Sequence, residues 1–216
     1  MKTADKSFSS KAMKVLLSIA LVIGLAPAIS PAKAYAAGVT GLTIGGVAVD
    51  DGGGAGYTWT ANELTLTGGT VGPIVATAAY TGALTIKVTG DTKITAVDAP
   101  AIDMQVADAL TIDTTAAALT VETTAKGSTP ASAIKAKGDF NLAKGTSQAA
   151  PAKALTVTSA LADANAPVIA VMGAVDINEF TTLSAASLKG ASTVAIDGAV
   201  TGDIEAVGAL TFAQAA

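Results

Sequence analysis

No cysteine, histidine or arginine occurs anywhere in the sequence. The missing cysteines exclude a disulfide scaffold, a thiolate metal site and attachment through a lipidated thiol. Without histidine as well, zinc and most nucleophile–base pairs lose their usual groups. Aromatic residues make up only 4% of the chain, with Trp59 the single tryptophan, and charged residues only 14%. No apolar stripe with the 3.6-residue period of a helix persists along it.

The little charge present is divided unevenly. Lys2, Lys6, Lys11 and Lys14 precede an apolar run from Val15 to Ile29, and small residues follow at Ala34 and Ala36. A basic start, a short apolar middle and a small-x-small site form the pattern of a secretory signal peptide. Pro27 interrupts the run, which falls short of the roughly 20 residues needed to span a bilayer. The expectation is a signal peptide over 1–36, cleaved after Ala36, and a secreted chain over 37–216. That chain carries 16 acids and eight lysines, a net charge of −8. An acidic surface without arginine points away from nucleic acid and anionic membrane as partners. The length suffices for one domain with a sizeable core.

What the chain has in quantity is short alternation. Leu42–Ile44, Leu64–Leu66, Leu84–Val88, Leu110–Ile112, Leu119–Val121, Phe140–Leu142, Leu155–Val157, Val175–Ile177 and Leu210–Phe212 each place an apolar residue at every second position. Such bursts, rich in Thr, Val and Ile, mark half-buried strands. Most begin about 15 to 26 residues apart, the spacing of a solenoid with one coil per repeat. Gly, Asp, Asn and Pro lie between them, where a chain turns. A single coil cannot bury its own apolar face, but stacked coils bury a shared one. The first and third residues of each burst are expected to point inward, with Ala where the coil is narrow.

The predicted fold is therefore all-β: a right-handed parallel β-helix of about eight or nine coils. Its competitor, a β-sandwich, needs closely spaced hairpins, and only the region before Thr70 offers one. The Ala-rich stretch 149–166 carries Pro151 and is followed by Pro167, which argues against a long helix. The expected organisation is a signal peptide over 1–36, a capping hairpin and first strand over 37–69, and coils over 70–216.

The stretches GALTIKVTGDTKIT (82–95), ALTIDTTAAALTVETT (109–124), AIKAKGDFNLAKGT (133–146) and ALTVTSA (154–160) resemble secreted bacterial parallel β-helix proteins of the carbohydrate-binding or adhesin-like type. These are similar in fold to pectate lyases without the catalytic groups. The opening YTWTANELTLTGGT (57–70) is also similar to the aromatic-turn-LTL start found there. The resemblance covers nearly all of 39–212 through degenerate motifs. It implies an extracellular glycan-binding or adhesive rod, in some members with bound calcium.

Tyr57 and Trp59 lie two apart, so their rings face one way on a strand. Sugar-binding platforms use such rings, and so do the caps that cover solenoid ends. Trp59 stands just before the first regular coil, which favours the cap. Tyr80, near a turn, is the more independent surface candidate for carbohydrate. The loop DDGGGAG (50–56) lacks the Lys-Ser/Thr of a P-loop and the ligand spacing of an EF-hand, and reads as a hairpin loop. Asp98, Asp103, Asp108 and Asp113 recur every five residues. Stacked on neighbouring turns they would suit Ca²⁺; scattered on a solvated rod they would not.

The outward Thr of each burst suggests an ice-binding array, but charges at neighbouring outward positions such as Lys87, Asp113 and Glu122 break it. Catalysis needs a paired acid and base or an activated nucleophile, and no motif singles one out. The leading reading is a secreted, non-catalytic polysaccharide-binding or adhesin-like β-helix, extracellular or on the cell surface. A structural surface or matrix rod is the alternative, and a polysaccharide lyase or hydrolase the third. The last burst, Leu210–Phe212, has only Ala213–Ala216 behind it. That arrangement predicts either continuation beyond this chain or end-to-end association through the C-terminal coils.

Overall fold

The computed structural model describes residues 39–212 except Ser128 and Ala164. The expected signal peptide, 1–36, lies outside the described residues. Within them every regular element is a β-strand. The long stretch 149–166 forms no helix: its ordered part is the strand Leu155–Ser159.

The order follows the alternation of the sequence. β1 (Leu42–Ile44) and β2 (Val47–Ala48) form a hairpin, and β3 (Tyr57–Thr60) forms another with β4 (Glu63–Leu66). β5 (Gly69–Val71) and β6 (Ile74–Ala76) follow. The next three circuits each take three strands: β7 (Leu84–Val88), β8 (Thr92–Val97) and β9 (Ile102–Met104); β10 (Leu110–Asp113), β11 (Leu119–Thr124) and β12 (Ile134–Ala136); then β13 (Phe140–Leu142), β14 (Leu155–Ser159) and β15 (Ile169–Val171). Later circuits are tighter, with β16 (Val175–Ile177), a long β17 (Thr182–Gly190), β18 (Val194–Ile196), a long β19 (Ala199–Ala206) and β20 (Leu210–Phe212).

From β4 onward the chain visits three ladders in rotation. The first ladder is β4, β7, β10, β13, β16, β18 and β20, with every neighbouring pair parallel. The second is β5, β8, β11, β14 and the first half of β17. The third is β6, β9, β12, β15 and the second half of β17. β19 lies along the whole of β17, with a register irregularity between Ser184 and Ser187. Antiparallel pairing among the described strands is confined to β1–β2, β1–β6 and β3–β4. This is an all-β fold built on long parallel ladders, compatible with a β-solenoid; a sandwich would carry antiparallel hairpins throughout.

Register explains burial. Leu84, Leu110, Phe140, Val175 and Val194 stack in one column, and Ile86, Ile112, Leu142, Ile177 and Ile196 in the next. All ten are buried, and the residues between them face outward, as the alternation predicts. Each fully buried Leu or Ile contributes about 1.5–3 kcal/mol of hydrophobic stabilisation. Small residues fill the narrow positions: Ala76, Ala101, Ala133 and Ala136 are fully buried.

The corners are stapled by Gly-Asp pairs. Asp91 Oδ1 accepts the Ala118 amide at 3.0 Å, and Asp139 Oδ1 accepts the Ala174 amide at 2.8 Å, each on the following circuit. The preceding glycines allow backbones to meet. A Cβ on Gly90 would fall 2.3 Å from Thr67 O, and one on Gly138 2.2 Å from Asp108 O.

Two expectations are corrected. The first ladder has seven strands, hence six full circuits rather than eight or nine. Leu110–Ile112 and Leu119–Val121 belong to different ladders of a single circuit. Loops also lengthen the middle coils, so that Phe140 reaches its stacking partner Val175 only after 35 residues, whereas Val194 reaches Leu210 after 16.

Candidate functional site

The β3–β4 pair brings Tyr57 and Trp59 to the N-terminal end of the stack. β3 runs antiparallel to β4, with Tyr57 opposite Leu66 and Trp59 opposite Leu64. Because Leu64 and Leu66 point into the core, Tyr57 and Trp59 share that side, as their spacing predicts. Their fates differ. Trp59 is 6% exposed and meets the Tyr80 ring edge to face, with centroids 6.4 Å apart and an interplanar angle of 73°. Tyr57 stays half-buried.

Tyr80 corrects the expectation of an independent surface residue. It is 3% exposed, and its hydroxyl donates to Asn62 Oδ1 at 3.4 Å or to Ala83 O at 3.3 Å. Burial, and secondarily the nearby Asp108 carboxylate, pushes its hydroxyl pKa above the ordinary tyrosine value. A turn residue usually looks outward, but the turn after β6 folds Tyr80 down onto Trp59. The two rings together fill the end of the core.

The glycine loop 50–56 positions Tyr57. Gly54 and Tyr57 exchange backbone hydrogen bonds of 3.0 and 3.4 Å. A Cβ on Gly54 would sit 2.8 Å from the Tyr57 ring, so glycine is what lets the loop lie flat against it. The loop is not the hairpin connection expected: β2 pairs with β1 and β3 with β4, so 50–56 joins one hairpin to the next. Between this loop, the β1–β2 hairpin and the outer edge of β5 lies an open cleft of about 400 Å³. Its walls include Ile44, Val47, Asp50, Tyr57, Thr70 and Val71. The N-terminal antiparallel strands lie against the first strands of two ladders, β4 and β6. Beside the remaining first strand, β5, lies the cleft.

Asp50 enters the sequence reading only as part of the loop 50–56, and Thr70 and Val71 are not singled out there. The available signal was the loop itself: its seven residues, Asp50–Gly56, rich in glycine, double back so that Asp50 and Tyr57 line one cleft. Chemically, the cleft offers one aromatic face, one carboxylate, a threonine hydroxyl and apolar walls.

The four evenly spaced aspartates are not brought together. Asp98 occupies a corner with φ 54°, Asp103 the outward face of β9, Asp108 the next corner, and Asp113 the end of β10. They are spread around one circuit, because a five-residue step moves along a coil and not across coils. Asp98 accepts the Gly127 and Lys126 amides at 2.8 and 2.6 Å. Those two bonds, the Gly127 amide foremost, hold its carboxyl below the usual range. Asp108 accepts the Gly82 amide at 3.2 Å and Asp113 the Thr115 amide at 2.9 Å. Among the described residues no three acidic side chains converge as a metal site.

A second groove, about 390 Å³, runs along the corner loops past Asp98, Pro100, Pro130, Lys135 and Asn165. It carries no aromatic wall. No helix among the described residues is long and apolar enough to cross a membrane. Comparison with protein-family models, curated proteins and solved structures returns no match.

Proposed function

We propose that this chain is a right-handed parallel β-helix, exported from the cell, that binds an extracellular polysaccharide through the cleft beside Tyr57. The three-ladder rotation supports the solenoid reading, and the right-handed sense follows the strong preference of parallel crossovers. The binding reading rests chiefly on one observation: the half-buried Tyr57 lines an open cleft that Asp50 and Thr70 also line.

A pyranose has an apolar C–H face and a rim of hydroxyls. An aromatic ring takes the first, while a carboxylate or a threonine hydroxyl hydrogen-bonds the second. Apolar walls with a few polar groups are the usual make-up of a small-molecule site. Trp59 and Tyr80, buried in the end of the core, serve stability in this account and leave recognition to Tyr57. The cleft opens at the end of the stack, where a long glycan can enter without passing the coils.

The test is retention on immobilised polysaccharides, with and without calcium, for the native chain and for Tyr57→Ala. The proposal expects retention by the native chain, its loss in Tyr57→Ala, and melting changed by little. Retention unchanged in the variant would overturn the assignment to this cleft. No retention on any polysaccharide would favour the purely structural rod.

A further inference from the structure

The cleft beside Tyr57 carries charge of one sign. Among the described residues that line it, Asp50 alone is charged. Asp51, exposed, follows directly in the loop. Beside Thr70 in the sheet stands Lys93, in register with it on β8. That lysine is already drawn to Glu122 on the next circuit, at 2.5 Å. The cleft walls thus hold no cation. The second groove differs, because Lys135 lines it together with Asp98.

Asp50 is also released from the work that loop aspartates do elsewhere in the chain. Asp91, Asp98, Asp108 and Asp139 each accept a backbone amide from another circuit. Asp163 closes its own turn by accepting the Asn165 and Ala166 amides. Those carboxylates are occupied in holding corners. The Asp50 side chain enters no hydrogen bond or ion pair among the described residues; only its backbone oxygen is used, by the Gly53 amide at 3.0 Å. It is nevertheless half-buried. A carboxylate in that position has lost part of its hydration without gaining a protein donor, which a cationic ligand would supply.

We propose that this cleft selects sugars bearing a free amino group, protonated as an ammonium, over their N-acetylated and uronate counterparts. The inference rests on the reading that the Tyr57 cleft binds a glycan, and names the class of sugar it takes. An ammonium donates charge-assisted hydrogen bonds to a carboxylate, here that of Asp50. The same charge is attracted to an aromatic ring, here that of Tyr57. Acetylation removes the charge and so forfeits both attractions. A uronate brings a second carboxylate toward Asp50 and Asp51, where like charges repel.

Calorimetric titration of the full chain with soluble trimers of glucosamine, N-acetylglucosamine and galacturonate tests it. The glucosamine trimer should bind about 5- to 10-fold more tightly than the acetylated one, the combined effect of one partly exposed ion pair and one cation–π contact. The galacturonate trimer should bind more weakly than either. In Asp50→Asn the amino and acetylated trimers should bind alike. Asp203→Asn removes the same charge from an exposed position on β19, at the other end of the ladders, and should keep the preference. That variant separates the cleft from the general pull of an acidic chain on any cation. Failure of the glucosamine trimer to bind, or equal binding of the acetylated one, would overturn the inference. So would a preference that survives Asp50→Asn or is lost equally in Asp203→Asn. Retention on a neutral polysaccharide that Tyr57→Ala abolishes, without any preference for the amine, would leave the cleft reading standing and strike this inference alone.

Discussion

At the N-terminal end Trp59 is 6% exposed opposite Leu64, whereas at the C-terminal end Phe212 is 66% exposed in register with Ile196. Both are large aromatics on terminal rungs of the same ladder. What separates them is the direction of the strand that carries them. Trp59 lies on an antiparallel strand folded back over the stack and braced by Tyr80, while Phe212 lies on one more parallel rung. A repeated parallel rung therefore propagates its core but does not end it, because each rung needs a neighbour to cover it. Ending it takes a change of strand direction and residues outside the repeat.

The largest effect should come from the middle, which calibrates both ends. Ile112→Asp would put an unpaired charge at a position with no solvent exposure, costing more than about 4 kcal/mol. Chemical denaturation would read this as loss of the folded state, whereas Thr111→Ser, on the outward face, should be nearly silent. Equal effects would mean that the register is wrong. Next comes the comparison itself. Trp59→Ala should lose about 3–5 kcal/mol, as for other buried large aromatics. Phe212→Ala, measured on dilute monomer, should change stability by no more than about 1 kcal/mol, because little of its side chain is buried to begin with. A large loss in Phe212→Ala would show that the C-terminal rung is covered after all.

The smallest effect concerns charge near the open end. Asp176 faces outward on β16, and its pKa is raised, first by partial burial and then by the Asp197 carboxylate on the following circuit. A carboxyl that binds its proton more tightly when folded costs stability as pH rises from the ordinary carboxylate range through the raised value. Asp176→Asn should therefore raise the melting temperature at pH 7. The gain should shrink as pH falls toward 4, where the native carboxyl also becomes neutral. Solvent screens a group this exposed, so the change should stay within about 0.5 kcal/mol. A gain that persists in acid would point to a cause other than charge.

The sequence made the first ladder plain and the third nearly invisible. Leu84–Ile86, Leu110–Ile112 and Phe140–Leu142 alternate large apolar residues with polar ones, which is the periodicity that reading by pattern detects. In the third ladder the first three triplets are Ile74–Ala76, Ile102–Met104 and Ile134–Ala136. Their second inward residue is alanine or methionine, and a stretch with so much alanine elsewhere hides the alternation. Circuit number was overread for the same reason, since two ladders were counted as successive coils. Gly90-Asp91 and Gly138-Asp139 read locally as turn residues, but the partners of Asp91 and Asp139 sit 27 and 35 residues onward. Of the candidate site, Tyr57 and Trp59 were legible through their shared face. Asp50 and Thr70 were not, because one reaches the cleft through a loop that doubles back and the other through the strand β5. Tyr80 misled because its turn folds over the end of the stack, which no local pattern records.

The ion pairs follow the same inter-coil logic at lower value. Glu63–Lys87, Lys93–Glu122, Lys144–Glu179 and Lys189–Glu205 each join one circuit to the next. All are partly solvated and contribute at most about 1 kcal/mol apiece. Apolar columns and backbone ladders carry the stack, and the charges mark its register.

That register is the claim on which both ends depend, and the missing cysteines make it directly testable. Thr85 and Thr111 face outward in direct register on β7 and β10, 26 residues apart in sequence. Parallel neighbours lie about 4.8 Å apart, within the Cα separation that a disulfide accepts. A chain carrying Thr85→Cys and Thr111→Cys should oxidise to an intramolecular disulfide and keep its melting temperature. Thr85→Cys combined with Asp113→Cys, two residues out of register, should oxidise poorly. Failure of the first pair to close, or preferential closure of the second, would contradict the parallel in-register stack.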